Sequence, residues 1–245
     1  MTVTATDGYG RLLADAFAGV EHAQEIVERD DGFIAASPLG PQAYLAPYRR
    51  WPSHQRRAMR FVRGRVLDVG CGAGRVALHL QERGHLVVAI DVSPGAVDVA
   101  RRRGVQDARL LSIDDVDESL GAFETIVMYG NNFGLFGSRG KAKRLLRRFH
   151  RLTTERGRIV AESRDPYETS DPVHLGYHVR NRSRGRMSGQ LRIRVRYREH
   201  ATPWFDYLIV SGAEMDELAE GTGWHVARTF DGEGGVYTAV LEKSG

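Results

Sequence analysis

VLDVGCGAGR, residues 66–75, is the most informative segment of this sequence. It places a glycine-rich turn, Asp68 to Gly74, between a short apolar run and a helix-like stretch. Because glycine has no side chain, backbone N–H groups and the positive end of a helix can approach a ligand closely at such a turn. Asp91 ends the next apolar run, where an acidic residue can accept hydrogen bonds from both hydroxyls of a ribose. The segment therefore predicts a nucleotide-binding site.

Short apolar runs and helix-like stretches alternate from residue 65 onward, which is the pattern of βα units around a parallel sheet. The predicted strands are RVLDV (65–69), VVAID (87–91), ARLLS (108–112), FETIVMY (123–129) and GRIVAES (157–163). The predicted helices run from Gly74 to Arg83, from Pro94 to Arg103 and over KAKRLLRRFHRL (141–152). We expect an α/β fold with a mostly parallel seven-stranded sheet and helices on both faces.

Two regions lie outside this alternation. Residues 10–30 and 53–63 are predicted to be helical, and the linker between them contains Pro38, Pro41, Pro47 and Pro52. LRIRVRYR (191–198) alternates with period two, and WFDYLIV (204–210) is a further predicted strand. A helix over 212–223 and two strands, HVARTF and VYTAVLE, joined through Asp231-Gly232, follow. The sequence predicts one domain, made of a helical lid (1–63), a nucleotide-binding core (64–164), an antiparallel substrate-side insertion (165–210) and a closing helix with strands (211–245).

Composition restricts the class of protein. A chain of 245 residues suits a single α/β domain. Cys71 is the sole cysteine, which excludes an intrachain disulfide and a thiolate zinc site. The formal charge of +4 keeps nucleic acid and an anionic small substrate as candidate partners. No apolar run approaches the roughly 18 residues of a membrane span, and the first residues lack a targeting pattern, so we expect a cytoplasmic protein.

VLDVGCGAGR followed by VVAIDVSP (87–94) resembles the first two motifs of the class I S-adenosyl-L-methionine (SAM)-dependent methyltransferases. The resemblance implies SAM as cofactor, S-adenosyl-L-homocysteine (SAH) as product, and a cytosolic enzyme that transfers a methyl group. It also implies that Asp68 orients the methionine amino group and that Asp91 holds the ribose diol. The complete predicted cofactor set is Asp68, Gly70, Gly72, Gly74, Asp91, Val92, Ile113, Asp114 and Tyr129.

Two other interpretations of the turn are open at this point. One is a nicotinamide or flavin domain, whose fingerprint places the third small residue one position later, where this chain has Arg75. The other is a glycine turn with a purely structural role.

The acceptor site is expected above the carboxyl ends of strands four and five. Gly130-Asn131-Asn132-Phe133 resembles the Gly-Asn-Ser-Phe of glycine N-methyltransferase and related small-molecule N-methyltransferases. An asparagine there can offer a carbonyl oxygen to a substrate amine, or its NH₂ group to a carboxylate. We therefore expect Asn131 and Asn132 to bind the acceptor, with Asn131 in a catalytic role. In the alternative, both asparagines cap the loop and Phe133 and Phe136 belong to the core.

Other methyl acceptors fit the sequence less well. Exocyclic-amine methyltransferases of nucleic acids have two prolines after the asparagine, and none follows Asn131 or Asn132. Pyrimidine C5 methylation needs a cysteine nucleophile, whereas Cys71 lies in the glycine-rich turn. Neither Lys141 nor Lys143 falls on a strand end, as paired catalytic lysines for ribose methylation would. A small-molecule acceptor remains, with nitrogen slightly favoured over oxygen.

Several further residues are predicted to serve the acceptor. An amine needs only placement, but a hydroxyl needs a base, for which Asp165, His174 and His178 are candidates. Further predicted binding residues are Tyr44, Trp51, Arg164, Tyr177, Arg194 and Arg196. Asp171, His174 and His178 would suit a divalent metal if the stretch were helical. Because Asp171-Pro172 favours a turn, we predict no metal site.

Residues 180–198 contain eight arginines and no acidic residue. The alternation in LRIRVRYR places Arg192, Arg194, Arg196 and Arg198 on one face and Leu191, Ile193, Val195 and Tyr197 on the other. A solvated outer face is one interpretation of this pattern. An anionic acceptor bound by arginine is the second, and an RNA surface is the third. The last of these makes an RNA-associated methyltransferase or SAM-binding protein the alternative function.

Overall fold

The glycine-rich turn connects a strand to a helix in the computed structural model, which describes residues 6–37 and 40–244. Pro38 of the predicted linker and residues 1–5 of the predicted lid lie outside the described residues. The strands are β1 (Ile26–Arg29), β2 (Ile34–Ala36), β3 (Val66–Val69), β4 (Val87–Asp91), β5 (Ala108–Leu110), β6 (Phe123–Met128), β7 (Thr153–Arg164), β8 (Gln190–Tyr197), β9 (His200–Ala201), β10 (Phe205–Leu208), β11 (Trp224–Asp231) and β12 (Val236–Lys243). The α-helices are α1 (Gly8–Phe17), α2 (Ser53–Met59), α3 (Arg75–Glu82), α4 (Pro94–Arg102), α5 (Arg139–Arg151), α6 (Pro172–Ser183) and α7 (Gly212–Ala219).

The predicted mostly parallel sheet is confirmed. Seven strands lie in the order β11-β12-β7-β6-β3-β4-β5. β4 pairs in parallel with β5, and β6 pairs in parallel with β7. β12 pairs antiparallel with β7 and with β11, so the closing hairpin is the antiparallel part of the sheet. β3 and β4 are buried along their whole length, as expected for strands covered on both sides.

A second sheet includes part of the predicted helical lid. Its strand order is β10-β8-β1-β2, with β9 paired to β8. The predicted helix over 10–30 is therefore wrong beyond Phe17: the chain leaves the helix, Gly19 has a φ of +79°, and Ile26–Arg29 forms β1. β1 pairs antiparallel with β8, bringing Ile26 opposite Arg196. Strand pairing over a long sequence separation has overridden local helix preference here.

The alternation predicted for β8 is confirmed. Ile193, Val195 and Tyr197 are buried, and the arginines between them are partly exposed or exposed.

The turn predicted at Asp171-Pro172 is instead the start of α6. The Asp171 carboxylate accepts a hydrogen bond of 2.8 Å from the Val173 N–H, and Pro172 occupies the first helical position. An N-cap followed by proline starts a helix as readily as it starts a turn. Although the stretch is helical, the described residues contain no group of three or more His, Cys, Asp or Glu side chains placed to hold a metal ion.

Contacts within the chain define two compact units. The first comprises Met1–Trp51, Leu67–Asp115 and Arg192–Phe205, and it contains the glycine-rich turn. The second comprises Pro52–Val66, Val116–Leu191 and Asp206–Gly245, and it contains the Asn131 loop. Over residues 6–37 and 40–244, no helix has the length and apolar character needed to cross a membrane.

Candidate cofactor and acceptor sites

The glycine-rich turn has a backbone that favours glycine at three positions. Gly70, Gly72 and Gly74 have φ values of 71°, 53° and 77°, in the left-handed region. The Gly70 N–H donates to the carbonyl of Ile90 at 2.9 Å, which ties the turn to β4. Gly74 is the N-cap residue of α3. The turn therefore presents backbone next to a helix N-terminus, as a nucleotide site requires.

Asp91, at the end of β4, binds the backbone of this turn through its carboxylate. One carboxylate oxygen accepts the Gly72 N–H at 2.9 Å, and the other accepts the Ser93 N–H at 2.9 Å. Burial raises the pKa of Asp91, while these two backbone hydrogen bonds act in the opposite direction. Because each carboxylate oxygen has about two acceptor sites, each can still accept a ribose hydroxyl.

Asp68 carries a buried acceptor atom that lacks a partner. Its side chain is 2% exposed, and within residues 6–37 and 40–244 its Oδ2 has no hydrogen-bond partner. Burial raises the pKa of Asp68 to about 7, against the opposing charge of Arg75. An orphaned acceptor of this kind needs a donor, and the amino group of a methionine moiety is one. Asp68 thus fits the role that the family resemblance implies.

The remaining predicted cofactor residues occupy different environments. Val92 is 66% exposed directly after β4, Ile113 is buried in a short 3₁₀ helix, and Asp114 is exposed beside it. Tyr129 is buried in the second unit, where its hydroxyl donates to the Gln55 carbonyl at 3.2 Å. Their contacts with the cofactor stay predictions.

Sequence reasoning missed Tyr9. A Cβ atom built on Gly72 would lie 2.8 Å from the Tyr9 hydroxyl, so this hydroxyl lies directly over the turn. Burial raises the pKa of the Tyr9 phenol well above its usual value. The Tyr9 ring packs edge-on against Tyr44, with ring centroids 5.5 Å apart.

Asp7 holds α1 against the start of α4. Its carboxylate accepts hydrogen bonds from the Gly10 N–H at 2.9 Å, the Ser93 hydroxyl at 2.7 Å and the Gly95 N–H at 2.8 Å. Asp7 is therefore the N-cap of α1 and also binds the N-terminus of a second helix. The Asp-Gly-Tyr-Gly segment was a signal for the N-cap, but nothing in the sequence links it to residues 93–95.

Asn131 has an unusual conformation in the loop after β6. Its φ is 61°, in the left-handed region. Its N–H donates to Glu162 Oε1 at 3.0 Å, and its carbonyl accepts the Tyr207 hydroxyl at 2.5 Å. Its side-chain Oδ1 is buried and has no hydrogen-bond partner among the described residues. The loop therefore fixes the backbone of Asn131 and leaves an acceptor atom unsatisfied.

Three buried residues, Glu162, His54 and Gln55, lie next to Asn131 through the bond between Glu162 and its N–H. The sequence analysis predicted none of them. Gln55 Nε2 donates to Glu162 Oε2 at 2.5 Å, and His54 Nε2 lies 3.6 Å from the same oxygen. All three residues are buried. The sequence offered only common residue types, His-Gln at the start of α2 and Glu near the end of β7.

The alternative interpretation of the loop holds in part. Phe133 and Phe136 are fully buried and pack edge-on with centroids 4.8 Å apart, so they are core residues. Asn131 precedes the 3₁₀ helix over Asn132–Phe136, but its side chain makes no capping hydrogen bond. The binding roles of Asn131 and Asn132 stay predictions.

The other acceptor residues of the second unit are dispersed around α6. Asp165 caps a turn by accepting the Tyr167 N–H at 2.8 Å, and Arg164 is exposed. His174 is half-buried on α6, and Tyr177 is buried. Their catalytic and binding roles stay predictions.

Tyr44 and Trp51 make contacts inside the first unit. The Tyr44 hydroxyl donates to Glu25 at 2.9 Å. Trp51 is buried and donates from Nε1 to the Ala46 carbonyl at 2.9 Å, with the Arg75 guanidinium over its ring.

Arg194 and Arg196 both bind a carboxylate of this chain. Arg194 Nε lies 2.8 Å and Arg196 Nη1 lies 3.1 Å from Glu28 Oε2. The Arg194 guanidinium also lies over the Trp204 ring, 4.7 Å from its centroid. Binding of an anionic acceptor or of RNA by these arginines stays a prediction, and it would require them to exchange Glu28 for the new partner.

Comparison with known proteins agrees with this geometry. Residues 66–157 match the model of a family described as a methyltransferase domain. A solved SAM-dependent methyltransferase from Bacteroides fragilis, in complex with SAH, is 26% identical, covers 99% of this chain and 98% of its own, and superposes with a TM-score of 0.82. These matches, together with the order of the strands in the sheet, support a class I SAM-dependent methyltransferase. SAM is therefore its cofactor, and the nicotinamide and purely structural interpretations of the turn are wrong.

Two curated relatives match over shorter segments. A putative methyltransferase from Geobacillus is 23% identical over 133 residues, covering 50% of this chain and 53% of the relative. A ubiquinone biosynthesis O-methyltransferase from Xanthomonas oryzae is 40% identical over 68 residues, covering 25% of this chain and 28% of the relative. This methyltransferase thus aligns with about half of one curated relative and under a third of the other.

Proposed function

We propose that this protein transfers the methyl group of SAM to a nitrogen atom of a small molecule. Bound SAM supplies a methyl group on a positively charged sulfur. Asp68, Asp91 and the glycine-rich turn bind and orient the cofactor. The residues around Asn131 bind the acceptor.

The observation that supports a nitrogen acceptor is the unpartnered Oδ1 of Asn131. An amide oxygen accepts hydrogen bonds and cannot donate them. Leaving such an atom buried and unpaired costs about 1–3 kcal/mol. A ligand that donates an N–H to this oxygen supplies the missing hydrogen bond, and this favours its binding. An amine held by one N–H keeps its lone pair available for the methyl group. Placement alone can then supply on the order of 7 kcal/mol of the barrier.

A small molecule is favoured over RNA by two observations. The Xanthomonas oryzae relative is named for ubiquinone biosynthesis. In addition, Arg194 and Arg196 already bind Glu28, so the arginine face is partly neutralised.

A hydroxyl acceptor is the second candidate, and the buried His54–Glu162 pair supports it. A hydroxyl must lose its proton as it is methylated. His54 Nε2 lies 3.6 Å from Glu162 Oε2, so the carboxylate could orient the ring through Nε2 and leave Nδ1 as the nitrogen that accepts the proton.

A screen with SAM carrying a ¹³C-labelled methyl group tests both candidates. The purified protein is incubated with matched panels of small primary amines, secondary amines, alcohols and phenols, and the methyl carbon shift of each product identifies N–CH₃ or O–CH₃. We expect N-methyl products. Products that are exclusively O-methylated would overturn the nitrogen assignment, and methylation of RNA in preference to all small molecules would overturn the small-molecule assignment.

A further inference from the structure

Glu162 is a buried carboxylate whose two oxygens have different partners. Oε2 accepts from Gln55 of α2 at 2.5 Å and lies 3.6 Å from His54 Nε2. Oε1 accepts the backbone N–H of Asn131 at 3.0 Å. The carboxylate therefore connects α2 to the loop that follows β6.

The backbone of Asn131 is restrained on both sides. The carboxylate of Glu162 holds its N–H, and the Tyr207 hydroxyl holds its carbonyl at 2.5 Å. The Tyr207 ring in turn packs against Gly134, where a Cβ atom would collide with it. A φ of +61° is uncommon for a non-glycine residue, although asparagine adopts it more readily than most, and contacts from the surroundings constrain the backbone there. These two side chains provide that constraint.

The network around Glu162 is not optimised for stability. Thr238 lies opposite Glu162 in the antiparallel pair of β12 and β7, which places the two side chains on the same face of the sheet. Thr238 Oγ1 and His54 Nε2 are both buried and lack hydrogen-bond partners within the described part of the chain. Burying a carboxylate beside unsatisfied polar groups is costly compared with an apolar core. Such a cost is typical of a functional site.

We propose that Glu162 is the positioning residue of the acceptor site. Its carboxylate fixes Asn131 in the left-handed conformation that keeps Oδ1 buried and available to a ligand. This inference rests on the proposed function, because it takes Asn131 Oδ1 to be the atom that receives the acceptor's N–H. Glu162 acts through Asn131, so it needs to supply an acceptor oxygen and not a negative charge.

The chain offers a simple spectroscopic test, because it contains three asparagines, Asn131, Asn132 and Asn181. Protein labelled with ¹⁵N-asparagine and bound to SAH then gives three backbone amide signals. Asn181 is buried on α6, and its side chain donates to the carbonyls of Ser188 and Gln190, which are not members of this network. It serves as an internal control for global unfolding.

Two substitutions separate positioning from charge. Glu162→Leu removes the acceptor oxygen at similar size, and we expect the Asn131 amide to exchange with solvent at least tenfold faster while Asn181 stays unchanged. Glu162→Gln keeps an oxygen toward Asn131, and its exchange rate should stay within about threefold of the parent. Turnover of an amine found in the screen should follow the same order. Glu242→Gln, which alters a carboxylate on β12 that pairs with Arg158, is the matched control.

The exchange rate of the Asn131 amide and the turnover of the variants can each overturn the positioning role of Glu162. An unchanged Asn131 exchange rate in folded Glu162→Leu would overturn the proposal. So would Glu162→Gln lowering turnover as much as Glu162→Leu, since a base or a charge would then be required. If Glu162→Leu fails to fold, Glu162→Met replaces it, because it also removes both acceptor oxygens, in an unbranched side chain, and should raise the same exchange rate. Faster Asn131 exchange in Glu162→Leu together with full turnover would show that Glu162 holds the Asn131 amide, but it would overturn the proposed use of Asn131 by the acceptor and with it the role of Glu162 in the acceptor site.

Discussion

Asp68 has a carboxyl group that changes charge near neutral pH. Burial raises its pKa to about 7, and its Oδ2 lacks a partner among the described residues. In its ionised form the carboxylate attracts the ammonium group of a methionine moiety, and in its protonated form it does not. Cofactor affinity should therefore increase as the pH rises through 7.

We predict that SAH binds roughly tenfold more weakly at pH 6 than at pH 8, since only about one tenth of Asp68 is ionised one unit below its pKa. Asp68→Asn should bind weakly at every pH and abolish this dependence. Calorimetric titration at pH 6, 7 and 8 measures the affinity of SAH for the parent protein and for Asp68→Asn. An affinity that is the same at the three pH values in the parent protein would contradict the assignment of Asp68.

The Asn131 side chain and backbone can be tested separately. Glycine accepts a φ of +61° without strain, so Asn131→Gly should keep the backbone of the loop while it removes the side chain that carries Oδ1. We expect turnover to fall at least about tenfold, which corresponds to one lost hydrogen bond of about 1.4 kcal/mol in the transition state. Asn131→Ala should lose the same turnover and about 1–2 kcal/mol of stability in addition. Urea unfolding and steady-state kinetics on both variants provide the comparison, and full turnover by Asn131→Gly would refute the role of Oδ1.

At the scale of elements, the packing of α1 on α4 controls how Tyr9 lies over the cofactor turn. The two helices meet at glycines: a Cβ atom on Gly10 would lie 2.7 Å from the Gly95 Cα and closer still to the Asp7 carboxylate. The contact therefore has no room for a methyl group, and the three hydrogen bonds of Asp7 hold it in place.

We predict that Gly10→Ala destabilises the protein by about 1–3 kcal/mol, the usual cost of overpacking, and weakens SAH binding as Tyr9 moves off Gly72. Gly176→Ala is the matched control, because Gly176 lies in α6 with nothing within 4 Å of a built Cβ atom. Alanine should stabilise that helix by up to about 1 kcal/mol. Thermal unfolding with and without SAH compares the stability and the SAH binding of Gly10→Ala and Gly176→Ala. Equal effects of the two substitutions would contradict the close packing of α1 against α4.

The elements also show where sequence reasoning failed. α3, α4 and α5 were predicted to within about two residues because their caps and apolar spacing are local signals. β1 was predicted as helix, since the strand exists through its pairing with β8, some 170 positions later in the chain. A strand of four residues is too short to show a clear alternation of apolar and polar side chains, so the helical spacing of the preceding residues dominated the prediction.

For the whole molecule, the glycine-rich turn and its partner Asp91 could be predicted from the sequence, whereas the network of Gln55, Glu162 and Tyr207 around Asn131 could not. Asp68, the glycines and Asp91 lie within 24 residues of one another, and a positive φ or a strand end leaves a recognisable signal. Gln55 and Glu162 are 107 positions apart, and Asn131 and Tyr207 are 76 positions apart. Only the folded chain brings such common residue types together, so Asn131 was identified without the residues that hold it.

Binding of SAM by Asp91 and the glycine-rich turn can be tested by calorimetric titration of SAH into the parent protein and into Asp91→Ala. Removing a carboxylate that is predicted to accept two ribose hydroxyls should cost about 1.5–3 kcal/mol, which is at least a tenfold loss of affinity. Circular dichroism confirms that the variant is folded. We predict tight binding to the parent and at least tenfold weaker binding to Asp91→Ala. Equal affinity of SAH for the two folded proteins, or preferential binding of a nicotinamide dinucleotide by the parent, would show that Asp91 and the glycine-rich turn do not form a SAM site.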